Sequence, residues 1–536
     1  MTSPKGIRIP IQWTAAGATR LLCDVKFIAF DPEMRYLHFR TQPRSRQIHL
    51  MNPEAYTISR PLGTISGQGL PIPALAVLQQ ATLPVPVIIY LLTVTIPIGF
   101  NAGPLALTTL RLFLLIMVVP LLVQLFSGRF GRVLLTDILM LLHILWATVA
   151  LALNNPNQVA QQFGSVGVEF IGGYLMGRAY IRSAEGFVAL SRWLVFLVLC
   201  TMPLALFEAK TGRPLLIEAI HKIPGLTSVA VVTIDGRMGL ERVQGVFAHP
   251  IHYGLFCSVA LSMAFVALRD ITSRGWRWLS SILIAICGFL ALSSGALLAI
   301  VLQTALISWS STFARIRWRW WLLVGLFVLA YIVIDIFSNR APLQVFMSYA
   351  TFSAHNAYYR SIIFEWGMKN VWDHPIFGLG LNDWVRPFYM VSGTMDNFWL
   401  VMAVRYGIPG FLLLAAAYVL LIFRVMRLKL DGDVLLTRIR LAWVFTFLGL
   451  SFTLTTVHIW TNIYSFVFFM FGAGAWLLEA HKAGERSLSV SPGGRSSAPS
   501  LGPPSQDAIS RNPIASRIEP RYSRFPTKNT RKDRSA

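Results

Sequence analysis

"WLSSILIAICGFLALSSGALLAIVLQTALISW", Trp278 to Trp309, decides the architecture. It carries no charged residue, and it is too long for one membrane-crossing helix, which needs about 20 residues. Arg269, Arg274 and Arg277 flank it on one side, and Arg315, Arg317 and Arg319 on the other. Lysine and arginine collect on the cytoplasmic side of membrane helices, so two basic flanks imply an even number of crossings between them. The stretch is therefore expected to fold as a helical hairpin turning at "LSSGA", Leu292 to Ala296.

The whole chain has the same character. Hydrophobic residues make up 55% of 536 and charged ones 13%, with a mean hydropathy of +0.58. Soluble domains are closer to a quarter charged. The net charge of +23 does not read as a nucleic-acid footprint, because the arginines sit in short clusters between apolar runs and in the two tails. Cys200, Cys257 and Cys287 fall inside apolar runs, which suggests neither a disulfide framework nor a zinc site. The fold class is all-α: a polytopic membrane protein.

Apolar runs place spans near 80–100, 105–126, 133–153, 163–181, 188–208, 246–268, 278–292, 295–312, 320–338, 397–424, 440–457 and 460–480. That is about twelve crossings with both termini inside. Arg129 with Arg132, Arg178 with Arg182, and Arg424 with Arg427 all fall on the same, cytoplasmic side. Residues 1–69 form a basic cytoplasmic segment; the first apolar run starts after Leu70, too late for a secretory signal peptide. Residues 70–482 are the membrane domain. Residues 483–536, rich in Ser, Pro, Gly and Arg, are expected to be a disordered, basic cytoplasmic tail.

Two longer loops, about 209–245 and 339–396, then face outward. They carry Arg237 and Arg242, and His355, Arg360 and Arg386, on the face where positive charge is disfavoured. Long loops cross despite their charge, yet two cationic loops over a bilayer suit an anionic group at the outer surface. A diphosphate fits, since the planar fork of arginine pairs two oxygens at once.

At this point four stretches gain meaning together. "RVQGVFAHPIHYG", Arg242 to Gly254, resembles the Arg-x-x-Gly-x-Phe-x-x-Pro motif of the O-antigen ligase and polysaccharide polymerase superfamily. "LSSGALLAIVLQ" (Leu292 to Gln303), "YRSIIFEWGMKNVWDHPIFGLGLNDW" (Tyr359 to Trp384) and "DNFWLVMAVRYGIPGFLLL" (Asp396 to Leu414) continue the resemblance in family order over about residues 80–480. The resemblance implies an integral-membrane glycosyltransferase, metal-independent and without a cofactor, in the bacterial inner membrane with a periplasmic active face. Its donor would be an undecaprenyl-diphosphate-linked glycan and its acceptor another glycan. Membrane lipids and other polysaccharide-assembly proteins are the remaining expected partners; nucleic acid is not.

By the same resemblance, Arg242 and Arg360 bind the diphosphate, whose charge grows as the anomeric bond breaks. A general base must take the proton of the incoming hydroxyl. Related ligases carry a histidine before the asparagine of the last motif, where this chain has Asp396 before Asn397. Asp396 is thus the expected base and His355 the second candidate, and the substitution favours an exopolysaccharide polymerase over a ligase. Asp396 also stands where a helix N-cap is expected. Glu208, beside the first outer loop, is expected to orient one of its arginines, with Asn397 and His249 in support. Glu169 is a further carboxylate within a span, and an intramembrane carboxylate reads as functional by default; Asp335 lies near an outer end and is expected to be interfacial. Gly378 and Gly380 suit a tight turn better than a phosphate cradle. The rival reading is a lipid-linked sugar flippase, but no internal repeat of the kind common in transporters is visible.

Overall fold

Runs of apolar side chains in a water-free environment satisfy their backbone as helices, and a helix lies in each of the twelve expected spans. The computed structural model describes residues 78–102, 105–338, 354–430 and 432–480; the expected leader 1–69 and tail 483–536 lie outside them. In chain order come α1 (Val85–Thr95), α2 (Thr109–Phe126), α3 (Leu135–Asn154), α4 (Val168–Tyr180), α5 (Ala184–Thr211) and a short helix, α6 (Leu215–His221). Then follow α7 (Pro250–Ser262), α8 (Arg274–Leu290), α9 (Ser294–Thr312), α10 (Arg319–Phe337), α11 (Ala354–Asp373), α12 (Phe398–Met426), α13 (Val434–Leu454) and α14 (Thr461–Gly472). Among the described residues nine helices are long and apolar enough to cross a membrane, α7 and α14 counting through Ala267 and Ala480. The helices of the remaining three expected spans, α1, α4 and α8, have 11, 13 and 17 residues. The nine stand against about twelve expected crossings.

The hairpin at Trp278–Trp309 turns where expected. Helix α8 ends at Leu290 and α9 starts at Ser294, with the Ser293 hydroxyl accepting from the Ala296 N–H. Between them Leu292 takes a left-handed backbone, φ 45°, which a branched side chain adopts only under constraint.

One element was not foreseen. Gly99–Ala102 (β1) pairs antiparallel with Leu105–Thr108 (β2), and Gly99 bridges on to Thr227 in the connection between α6 and α7. Pro97 has no N–H and disfavours helix in its neighbour, so α1 stops at Thr95 and the chain leaves it extended. The all-α expectation therefore needs this small ribbon added.

The core forms where helices approach closely. A Cβ at Gly173 or Gly177 of α4 would strike the backbone carbonyls of Ser465 and Phe469 on α14. The small residues four apart let the two backbones meet, a recurrent device where lipid gives no hydrophobic drive between helices. Tyr418, Phe447 and Phe471 pack around Trp443, with Tyr418 and Phe471 stacked at 5.1 Å. Helix α10 differs, for none of its residues is fully buried; Trp320 packs on Phe445, and most of the remaining apolar surface stays exposed, including the flank that carries Asp335.

The basic clusters also converge. Arg178 donates to the carbonyls of Phe130 and Arg132 and pairs with Glu479 at 3.2 Å, while Arg182 donates to the Arg129 carbonyl. The span Thr461–Ala480 runs from Trp460 to this cluster, about 30 Å at 1.5 Å per residue and close to one hydrocarbon thickness. The arginine cluster and Trp460 thus stand at opposite ends of a bilayer-length helix.

Candidate active site

The segment bearing Arg242 is fixed by its backbone. Glu241 donates its N–H to the Ala209 carbonyl and Val243 to that of Leu290. The buried Glu208 carboxylate accepts the N–H groups of Gln244 at 2.7 Å and Gly245 at 3.1 Å. Glu208 thereby holds the turn that aims Arg242 rather than pairing with an arginine. The guanidinium of Arg242 leans on the Ala291 carbonyl at 3.5 Å, and Arg237 donates to that of Leu292 at 2.8 Å. Both carbonyls lie just past the C-terminal end of α8, where the helix dipole favours cations.

The last motif resolves a doubled expectation. Asn397, not Asp396, caps α12, its side chain accepting from the Leu400 N–H at 3.1 Å. The Asp396 carboxylate is left to face a cavity. The Phe398 N–H bonds the Val457 carbonyl at 3.0 Å, which brings the α13–α14 connection alongside.

Helix α12 is broken within its own length. Gly407 has φ 71° and ψ 178°, followed by Pro409, and a Cβ there would strike the Ile376 carbonyl. The Pro-x-x-Gly-x-Gly segment fills the gap: Leu379 and Gly380 donate to the carbonyls of Val404 and Arg405, Ile408 donates to that of Pro375, and Leu381 donates to the Asn155 side chain. The N–H groups of 379, 380 and 381 are therefore spent, and Gly378 and Gly380 form a structural turn, not a phosphate cradle. The break also sets Arg405 at the cavity wall.

These pieces enclose a cavity of about 1150 Å³. Arg237, Arg242, Arg360, Arg405, Asp396 and His249 all line it, as do His458 and Trp460. No carboxylate lies within 4.0 Å of the Arg242, Arg360 or Arg405 guanidinium among the described residues. One nitrogen of Arg360, Nη1, is buried without a hydrogen-bond partner. Asp383, also on the wall, is taken by Arg386 at 2.5 Å.

The electrostatics follow from this crowding. Burial, with Arg237 adding to it and Asp396 opposing, brings Arg242 down to about 10. Burial lowers Arg360 too, with Asp396 working against it. Loss of bulk solvent raises Asp396 above the usual carboxylate range, although Arg360 and Arg242 pull it back. His249 falls to about 4, through burial first and Arg242 second; its neutral Nδ1 accepts the Ile251 N–H and caps α7. Cations held together with few counter-charges form a site for an anion.

Of the expected site residues, Arg242, Arg360, Asp396 and His249 meet in this cavity, whereas Glu208 and Asn397 act on its framework. His355 falls in the first turn of α11, and its side chain lies outside the described residues. Glu169 lies away from the cavity wall and pairs with Arg111 at 2.7 Å. Sequence reasoning counted Arg237 among the loop cations without giving it a role, and missed Arg405, His458 and Trp460. Arg405 had a signal, a lone cation within an apolar run; for His458 and Trp460 the signal was only their place at a span boundary.

Fold and cavity together describe a multi-pass membrane protein with an arginine-lined cavity. Residues 279–415 match the O-antigen ligase family model. That segment, about a quarter of the chain, is similar to the O-antigen ligase family. The match runs from α8 to the middle of α12, taking in Arg360, Asp396 and Arg405, while Arg242, His249, His458 and Trp460 lie beyond it. No curated protein matches the chain.

Proposed function

We propose that this protein polymerises lipid-linked oligosaccharide repeat units at the periplasmic face of a bacterial inner membrane, in the making of a surface polysaccharide or exopolysaccharide. The observation that carries this reading is the cavity itself, in which Arg242, Arg360 and Arg405 face one space without ion-pair partners among the described residues and Asp396 faces it with them. Arg242 and Arg360 hold the diphosphate of an undecaprenyl-diphosphate-linked glycan. The oxygen of an acceptor sugar hydroxyl attacks the anomeric carbon, and its proton passes to the Asp396 carboxylate. The bond from that carbon to the diphosphate oxygen breaks, and its electron pair leaves with the lipid diphosphate. Guanidinium groups fixed in a cavity stabilise the charge that grows on the leaving oxygen. None of these steps calls on a metal or a cofactor. At about 1150 Å³ the space exceeds the range of about 300–1,000 Å³ usual for small-molecule sites, which suits two glycan ends meeting.

A ligase that passes finished glycan to lipid A core is the second reading, favoured by the description of the matched family. Deleting the gene and resolving surface glycans on a gel separates the two. Polymerase activity predicts loss of long polymer with single repeats retained; ligase activity predicts polymer that accumulates apart from bare lipid A core.

A further inference from the structure

The wall formed by the α13–α14 connection has no role in the reaction above, yet its residues are held in an unusual arrangement. Trp460 lines the cavity and keeps 36% of its surface exposed. The buried His252 meets its ring edge-on at 4.1 Å and 71°. His458 lies nearly parallel to it, at 5.8 Å and 24°, and stacks in turn on Phe398 at 6.1 Å and 20°. His249 closes the group at 5.8 Å from the Trp460 ring. The next residue, Thr461, takes a left-handed backbone, φ 54°. That is a genuine outlier for a β-branched side chain, and such strain persists only where the surroundings over-determine it. A tryptophan at a span boundary ordinarily anchors the helix among lipid headgroups. This one opens into the cavity with the arginines instead.

We propose that Trp460, backed by His252 and flanked by His249 and His458, is the platform for a neutral pyranose ring of the acceptor glycan, with His458 accepting a hydrogen bond from one of its hydroxyls. The proposal rests on the transferase reading above and adds to it the acceptor's subsite and chemical class.

A pyranose is amphipathic in the way this wall requires. One ring face presents C–H groups, which an aromatic face covers as an apolar surface, while hydroxyls project from the rim. Burial, followed by Arg405, holds His458 down at about 3, so the imidazole is neutral and has a lone pair for a hydroxyl hydrogen. Its Nδ1 is buried with no hydrogen-bond partner. Proximity to the chemistry comes from the backbone. Phe398, two residues after Asp396, both bonds Val457 and stacks on His458, so the platform lies on the segment hydrogen-bonded to the one bearing the proposed base. A ring laid on Trp460 would therefore be placed beside Asp396, as an acceptor must be.

The test is steady-state transfer by the purified full-length protein, with a lipid-linked glycan donor held saturating and the acceptor glycan varied. Trp460→Ala and Trp460→Leu should raise the acceptor KM at least 10-fold and leave the donor KM within 3-fold of wild type. Trp460→Phe, which keeps a flat face, should stay within 3-fold on both. His458→Asn should raise the acceptor KM by a smaller factor in the same direction. A Trp460 that merely anchors the helix predicts a different pattern: a lower melting temperature and less active protein in the alanine and leucine variants, with acceptor KM unchanged. That pattern overturns the proposal. Should Trp460→Ala fail to fold, the phenylalanine–leucine pair decides, since equal acceptor KM in the two also overturns it. Arg242→Ala serves as the control on the underlying reading. If it abolishes transfer while the Trp460 variants leave acceptor KM untouched, the platform alone fails; if it leaves transfer intact, the transferase reading fails.

Discussion

Replacing Arg242 with alanine is expected to lower kcat for glycan transfer by about 100- to 1,000-fold, the cost seen when one preorganised donor to a developing oxyanion is removed, ~3–4 kcal/mol. The side chain makes one long contact with the Ala291 carbonyl and no ion pair, so little of the folded state depends on its charge. Its neighbours instead push its pKa down to about 10, burial and Arg237 acting together. Removing it should therefore leave folding intact, or improve it slightly, while transfer collapses. Arg242→Lys should recover only part of the rate, since an ammonium cannot pair two diphosphate oxygens in one plane. Transfer kinetics of the purified variants, read beside their melting temperatures, check both halves. Wild-type kcat in Arg242→Ala would remove this residue from the leaving-group site.

Asp396→Asn carries the second large effect. A general base contributes about 100- to 10,000-fold, so kcat should fall within that range while the donor KM stays near wild type. The pH dependence has a defined sign. Loss of bulk solvent raises Asp396, and Arg360 and Arg242 only partly oppose it. The ionised carboxylate is the active form, so the rate is lost as pH falls through that raised pKa. The acid limb of the kcat profile should therefore lie above about 3.9, the value of a free aspartate, and should vanish in Asp396→Asn. An imidazole can also accept the proton, so Asp396→His, which restores the histidine that related ligases carry there, should retain a measurable part of the rate. An Asp396→Asn enzyme with an unchanged pH profile would place the base elsewhere.

How much of this was legible in the sequence depends on the range over which each feature is decided. Helices in the membrane are local, because twenty apolar residues cannot do otherwise, and the turn between α8 and α9 followed from the arginines on either side of Trp278–Trp309. The convergence of Arg242, Arg360 and Asp396 was legible only through family resemblance, as more than a hundred residues separate the first two. The β1–β2 ribbon was not legible, because its strands are four residues each and lie at the seam of two expected spans. Arg405 was hidden for a different reason. In sequence 397–424 reads as one span despite Gly407 and Pro409, and the docking of Pro375 to Leu381 into the break at Gly407 sets an apolar-run arginine at the cavity wall. The same docking uses the backbone N–H groups of residues 379 and 380, which is why a glycine-rich turn here cradles nothing. Asp396 and Asn397 divide one expected role: the asparagine caps the helix, which leaves the carboxylate for the site.

The central claim is that a sugar leaves a lipid diphosphate inside this cavity for a second sugar's hydroxyl. The most direct test incubates the purified full-length protein with undecaprenyl-diphosphate-linked repeat units and follows both products by mass spectrometry. Lengthened glycan and freed lipid diphosphate should appear one for one, and both should vanish with Arg242→Ala. Repeat units that stay unchanged in solution yet cross the bilayer of a reconstituted vesicle would contradict the account, for they would mark a carrier and not a transferase.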